Sequence, residues 1–209
     1  MSEAGPSRAA RSIQAMSETT DVWTVGHSNH EFEAFAALLA AQEIEFIVDV
    51  RSYPYSRFAP QFNREDLQPA LAHAGLRYVF MGEELGGRPS HGEHYDAEGH
   101  ARYDLMADEP GFQQAVDRLV QAASKHRLAL MCSEADPHDC HRRLLVGKIL
   151  TERGVSLRHI LTDGTVLTEG RVRLGGELAQ RSLFEENEQP WRSTRSVSHR
   201  RRLSTSSSG

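Results

Sequence analysis

A chain of 209 residues with 24 Lys and Arg against 29 Asp and Glu, a net charge of −5 and 39% hydrophobic residues suits one domain with its own core. Its longest apolar runs fall far short of the ~18 residues of a membrane span, and the N-terminus carries no apolar secretory block, so no membrane partner is expected and a cytoplasmic location is. In that compartment the two cysteines are expected as reduced thiols rather than a structural disulfide.

Residues 1–20 are rich in Ala, Ser and Glu without periodicity and read as a disordered lead to a single domain over 21–187. Val22 to Gly26 (VWTVG) is a β-branched and aromatic run closed by glycine, a first strand. Ser28, with Glu31 three residues on, makes a capping box for a helix in which Phe32, Phe35, Leu38 and Leu39 recur at helical spacing. Phe46 to Val50 is a second strand. Polar residues and proline fill 52–61, Asn63 opens a helix carrying Leu67 and Leu71 that stops at Gly75, and Arg77 to Met81 is a third strand. From Gly82 to Pro110 periodicity is lost while Gly82, Gly86, Gly87, Gly92 and Gly99 accumulate beside His91, His94 and His100, the composition of a long functional loop. A helix with Phe112, Val116, Leu119 and Val120 follows, then a buried strand from Leu128 to Met131. Asp136 and Pro137 read as N-cap and first position of a helix that carries Leu144, Leu145, Ile149 and Leu150 to Gly154. Leu157 to Leu161 is a last buried strand, and Asp163-Gly164 turns the chain into an antiparallel edge at Val166 to Thr168.

Strand and helix alternate, which predicts an α/β fold: a three-layer, Rossmann-like sandwich on a mostly parallel sheet with a small antiparallel edge near the C-terminus. In such sheets ligands bind beyond the carboxyl ends of the strands. That rule gathers His27 and Ser28 after strand one, Asp49 and Arg51 after strand two, and Cys132 and Glu134 after strand four. Both cysteines lie in the junction that follows, with Cys132 at the strand end and Cys140 and His141 in the opening turns of the helix. The positive end of that helix would lower the Cys132 pKa and make the thiol reactive. The plainer alternative is that Cys132 fills the core as a small hydrophobe.

The blocks Thr24 to Ser28 (TVGHS), Asp49 to Arg51 followed by Pro54 and Ser56, Leu85-Gly86-Gly87, and Cys132-x-Glu134 with Cys140-His141-Arg142 resemble the domain of unknown function 488 family over about Val22 to Gly164. The combination of blocks in this order is specific, whereas each alone is weak. The resemblance implies a compact α/β domain and marks His27, Ser28, Asp49, Arg51, Ser56, Cys132, Glu134, Cys140, His141 and Arg142. It brings no reaction with it.

Several chemistries fit these residues. A thiol at a strand end with a histidine and a carboxylate nearby supplies nucleophile, base and proton carrier, so Cys132, His27 or His141, and Glu134 are the catalytic candidates of a thiol-dependent transferase or hydrolase. The placement is similar to cysteine-phosphatase loops only in outline, because His138 stands where such a loop needs arginine. Cys132 and Cys140 are also a candidate redox pair, their separation bridgeable across a strand-to-helix turn. No segment has the paired spacing of a zinc site, and Cys140 and His141 as helix neighbours would project about 100° apart, so no metal and no cofactor is expected. Ser28, Asp49, Arg51, Ser56 and Arg142 would bind a small anionic ligand, although Arg51 could instead be spent on a salt bridge to Asp49 or Glu134.

From Glu188 to Gly209 the chain holds Arg192, Arg195, Arg200, Arg201 and Arg202 against one acid, leaving the rest strongly acidic. That tail reads as a disordered Arg/Ser-rich end. If nucleic acid is a partner, the contact belongs there, which gives the rival function of a non-catalytic nucleotide- or nucleic-acid-binding module.

Overall fold

The β-branched runs form strands where their alternation puts them. The computed structural model describes residues 20–173 and 190–197. Among these, β1 (Asp21–Gly26), β2 (Phe46–Asp49), β3 (Arg77–Phe80), β4 (Leu128–Cys132), β5 (Ser156–Ile160) and β6 (Val166–Thr168) build one sheet in the order β3-β2-β4-β1-β5-β6. All pairs are parallel except β5 with β6, whose hairpin turns through Gly164 at φ 85°.

Successive strand residues feed opposite faces, as the period of two requires. Val22, Val48, Leu128, Leu130 and Leu157 pack on one side with Phe112, Val116 and Leu119 of helix α5 (Pro110–Ala123) and Leu145 and Ile149 further on. Trp23, Val25, Ile47, Ala129 and Met131 pack on the other with Phe35 and Leu39 of α1 (Phe32–Ala40) and Leu67 and Leu71 of α2 (Arg64–His73). Helices on both faces of a mostly parallel sheet make the α/β sandwich that alternation predicts.

Four expectations give way. Ser28 is no cap: it stands at φ 49°, and α1 begins at Phe32 with Glu31 at its N-cap position. The stretch after Gly82 is not structureless, since it holds α3 (Gly82–Leu85), a short 3-10 turn (Gly92–His94) and α4 (Tyr103–Asp108). Asp136 caps only a local turn, its Oδ1 accepting from the His138 N–H at 2.8 Å. The helix opens instead at His141, runs as π-helix over Arg142–Gly147 and continues as α6 (Lys148–Glu152).

The fourth concerns the tail. Residues 190–197 are docked: the Tyr103 N–H donates to the Trp191 carbonyl at 3.0 Å, Ser193 N–H to Ala101 O at 2.9 Å and Val197 N–H to Gly99 O at 2.9 Å. Trp191 packs on the core, and its Nε1–H donates to Leu144 O at 2.8 Å. Arg192 pairs with Asp96 and Glu98, so this arginine is spent within the protein. The fold therefore extends past 187 into a segment whose composition looked disordered. The expected disorder of residues 1–19 and 198–209 lies outside the described residues, as do Arg200, Arg201 and Arg202.

Candidate functional site

Strand register sets the site. Gly26 lies opposite Cys132 and Asp49 opposite Met131, so the carboxyl ends of β1, β4 and β2 finish level. The loops beyond them are sewn together by His27 N–H to Cys132 O at 2.9 Å and Ser28 N–H to Ser133 O at 3.0 Å. This approach is close enough that a Cβ on Gly26 would overlap the Glu134 carbonyl, which explains glycine there. Above the strand ends opens a crevice of about 860 Å3 lined by His27, Arg51, Ser56, Cys132, Glu134 and His141, with Ser28 and residues 193–197 on its walls.

On the β2 side the charges are used up. Arg51 is buried and donates Nε and Nη2 to the two carboxylate oxygens of buried Asp49 at 2.9 and 2.7 Å, Nη2 also to Phe62 O at 2.8 Å, and Nη1 to His27 Nε2 at 3.0 Å. Tyr78 donates a further bond to Asp49 at 2.7 Å. A buried guanidinium and carboxylate so matched hold each other, and this is the salt bridge that stood as the alternative to anion binding. His27 stacks on Phe62 at 4.3 Å and donates Nδ1–H to the Ser28 carbonyl at 2.9 Å. Burial and the adjacent Arg51 lower its pKa from 6.5 to about 4. With Nε2 already accepting from Arg51, neutral His27 has no lone pair left for a substrate proton and serves to position Arg51.

On the β4 side the polar groups converge. His141 donates Nε2–H to the Val50 carbonyl at 2.8 Å, which turns Nδ1 towards Cys132 Sγ at 3.7 Å and Cys140 Sγ at 3.9 Å. Glu134 Oε2 lies 3.9 Å from Cys132 Sγ. A hydrogen bond from the Cys140 thiol, resisted by burial and reinforced by the His141 and Arg142 charges, draws the Cys132 pKa well below its usual range. Cys140 moves the other way, pushed up by burial and by donating to Cys132. Burial opposes a charged His141, but the Cys132 sulfur and the Val50 carbonyl outweigh it and raise the ring above its ordinary value. The direction agrees with the lowering expected at Cys132, with the Cys140 hydrogen bond as its largest cause.

Arg142 is fully buried behind this group. It donates to the Glu134 carbonyl and, at 2.9 Å, to the Ala135 carbonyl, while its Nε finds no partner among the described residues. It shapes the 132–135 loop and lends positive charge without lining the crevice. Ser28 Oγ donates to Asn29 Oδ1, and Ser56 accepts from the Phe58 N–H, both at the crevice wall. Both cysteines are free thiols.

The separation argued for Cys140 and His141 fails, because Cys140 closes the Pro137–Cys140 turn and only His141 is helical. Ligand atoms of Cys132, Glu134, Cys140 and His141 all lie within 4.8 Å of one another, a set that could hold a metal ion. Sequence reasoning missed Arg88, Tyr103 and residues 193–197 on the crevice walls. A tryptophan isolated in a polar tail was the one available signal for the last of these.

The family model described as Domain of unknown function DUF488 matches residues 31–149, which include β2 to β4 and all four converging side chains. Neither a curated protein nor a solved structure matches the chain.

Proposed function

Since the chain belongs to the DUF488 family, whose description carries no activity, we propose its function from the site: a thiol-dependent transferase or hydrolase with Cys132 as nucleophile. The observation that carries this reading is the ordered series Cys132 Sγ, His141 Nδ1 at 3.7 Å, and Val50 O holding His141 Nε2–H at 2.8 Å. A nucleophile, a base and a group that orients the base are the elements of nucleophilic catalysis. Cys132 thiolate attacks an electrophilic carbonyl carbon, forming an S–C bond. The leaving group departs with the proton held on His141 Nδ1. Water then attacks the thioester, His141 takes its proton, and the sulfur leaves as thiolate; replacing water by another nucleophile gives transfer. Glu134, exposed on the loop, is placed to relay protons to solvent, and Arg88 and the exposed Arg195 on the crevice walls supply cationic contacts for an anionic substrate.

The test is residue-resolved alkylation of the reduced chain with iodoacetamide near neutral pH. Cys132 is expected to label first and to completion before Cys140, and His141→Gln is expected to slow it by ten-fold or more. A Cys132 that stays unlabelled while the fold is intact overturns the reading.

A second reading draws on the crevice mouth, where Tyr55 and Phe58 are 71% and 82% exposed and Arg57 lies over the Phe58 ring at 4.7 Å. Exposed rings interleaved with arginine suit stacking on nucleobases, the chemistry of a non-catalytic nucleotide or nucleic-acid module. Salt-sensitive retention of a short oligonucleotide, lost in Tyr55→Ala/Phe58→Ala and untouched by Cys132→Ala, would favour it.

A further inference from the structure

Cys132 Sγ lies 3.7 Å and Cys140 Sγ 3.9 Å from His141 Nδ1, and Glu134 Oε2 lies 3.9 Å from Cys132 Sγ. A tetrahedral zinc with Zn–S of ~2.3 Å and Zn–N of ~2.05 Å places its sulfur and nitrogen ligands roughly 3.6 Å apart. These three separations are within a few tenths of an ångström of that figure, and all four ligand atoms lie within 4.8 Å of one another. Two sulfurs, one imidazole nitrogen and one carboxylate oxygen are also the donor types that select zinc over calcium or magnesium.

From this geometry we propose that Cys132, Cys140, His141 and Glu134 bind one thiophilic divalent cation, best matched by Zn2+, and that its binding withdraws Cys132 from nucleophilic service. The second half rests on the thiol reading above; the first does not.

Three further features support the site. The His141 ring is already fixed by its Nε2–H bond to the Val50 carbonyl, the outer partner that a metal-bound histidine ordinarily has, leaving Nδ1 directed at the two sulfurs. Two thiolates and a carboxylate around a doubly charged ion leave one negative charge, and the buried Arg142 guanidinium directly behind the loop offsets it. Glu134 is the only exposed member, so it is the ligand that water or a substrate can replace, while Cys132, Cys140 and His141 remain as a three-point anchor. His94 and His100 of the histidine-rich stretch do not compete, since His94 is paired with Glu109 and His100 donates Nδ1–H to Ser193 O.

The experiment titrates Zn2+ into the reduced, chelator-washed full chain against a chromophoric chelator, and follows iodoacetamide labelling of Cys132 in parallel. One Zn2+ per chain is expected, with labelling slowed at least ten-fold at saturation. Cys140→Ala is expected to weaken binding by more than the ~10–100-fold that loss of an outer hydrogen-bond partner costs. Glu134→Gln, a near-isosteric change at an exposed position, is expected to weaken it less. Stoichiometric binding unchanged in both variants would place the ion elsewhere and overturn the site. Absence of binding with Cys132 still readily labelled would overturn the site and leave the thiol reading standing. Binding at the four residues with Cys132 inert in the metal-free chain would sustain the site and remove the thiol reading together with the masking it supports.

Discussion

Gly87 offers a way to disturb the proposed thiol chemistry while sparing most of the fold. A Cβ built there would stand 2.5 Å from His141 Cγ, 2.7 Å from its Cβ and 2.9 Å from Nδ1. Ordinary carbon contacts begin near ~3.5 Å, so the imidazole of a Gly87→Ala chain must retreat by about 1 Å. It has little freedom to do so, because Nε2–H is tied to Val50 O at 2.8 Å and the residue opens a helix packed on the core. Retreat therefore lengthens the 3.7 Å approach of Nδ1 to Cys132 or breaks the bond to Val50. Misplacement on this scale costs about 100-fold in reactions that depend on orientation, and overpacking costs roughly 1–3 kcal/mol of stability. Stopped-flow alkylation of Cys132 and chemical denaturation measure the two effects separately. A Gly87→Ala chain with a wild-type alkylation rate and unchanged stability would refute the claim that His141 is held in place by close packing and acts on the sulfur.

Trp191→Ala removes a ring that packs on the core, donates to Leu144 O at 2.8 Å and carries Lys148 Nζ 4.0 Å above it. For a half-buried tryptophan about 2–3 kcal/mol is expected, and a chain ending at residue 187 should lose at least as much; urea denaturation of both decides whether the 190–197 segment is part of the fold. Acid stability tests the network in which Glu169 accepts from His159 at 2.9 Å and pairs with Arg143 at 2.9 Å. Burial opposes ionisation there, but the His159 and Arg143 partners lower the Glu169 pKa from 4.5 to about 2. A folded pKa below the unfolded one gives stability that is full above about pH 4.5 and is lost as pH falls towards 2, at most about 3 kcal/mol. Glu169→Gln should flatten that limb, as read from melting temperatures between pH 2 and 6.

The strands were legible because burial on both sheet faces demands continuous β-branched and apolar runs, and the antiparallel edge because an Asp-Gly pair favours a tight turn. The crevice was legible in part, since the rule that ligands gather at strand ends is geometric and put His27, Arg51, Cys132 and Glu134 at neighbouring strand ends, whereas His141 was expected in the helix that follows. What misled was local chemistry with two solutions. Asp136 before Pro137 has the composition of a helix start, yet its carboxylate is satisfied by the His138 N–H within a turn, which delays the helix to His141. That delay frees Cys140 from the helix and lets its sulfur join His141 Nδ1. The fate of Arg142 was not legible, because its partners are loop carbonyls whose positions depend on the whole sheet. Arg51 looked like a ligand clamp for a similar reason: whether a guanidinium faces a substrate or Asp49 is decided by depth, which composition does not encode.

The strand order has a consequence for how the chain acquires its shape during synthesis. β1 and β2 do not pair with each other; each pairs with β4, which inserts between them and is completed only at Cys132. A nascent chain that has emerged as far as α5 therefore holds two largely apolar strands with bare edges facing a gap. Exposed edges of that kind are sites of non-native pairing. Closure of the sheet is a late, long-range event, and it is made by the same segment that delivers the cysteines. A ribosome-stalled chain truncated before Leu128 should accordingly be captured by chaperones and remain sensitive to protease, and one in which β5 and β6 have also emerged, past Thr168, should become resistant. The cysteines thus enter the chain with the strand that closes the gap between β1 and β2, so the crevice above them forms only after that closure.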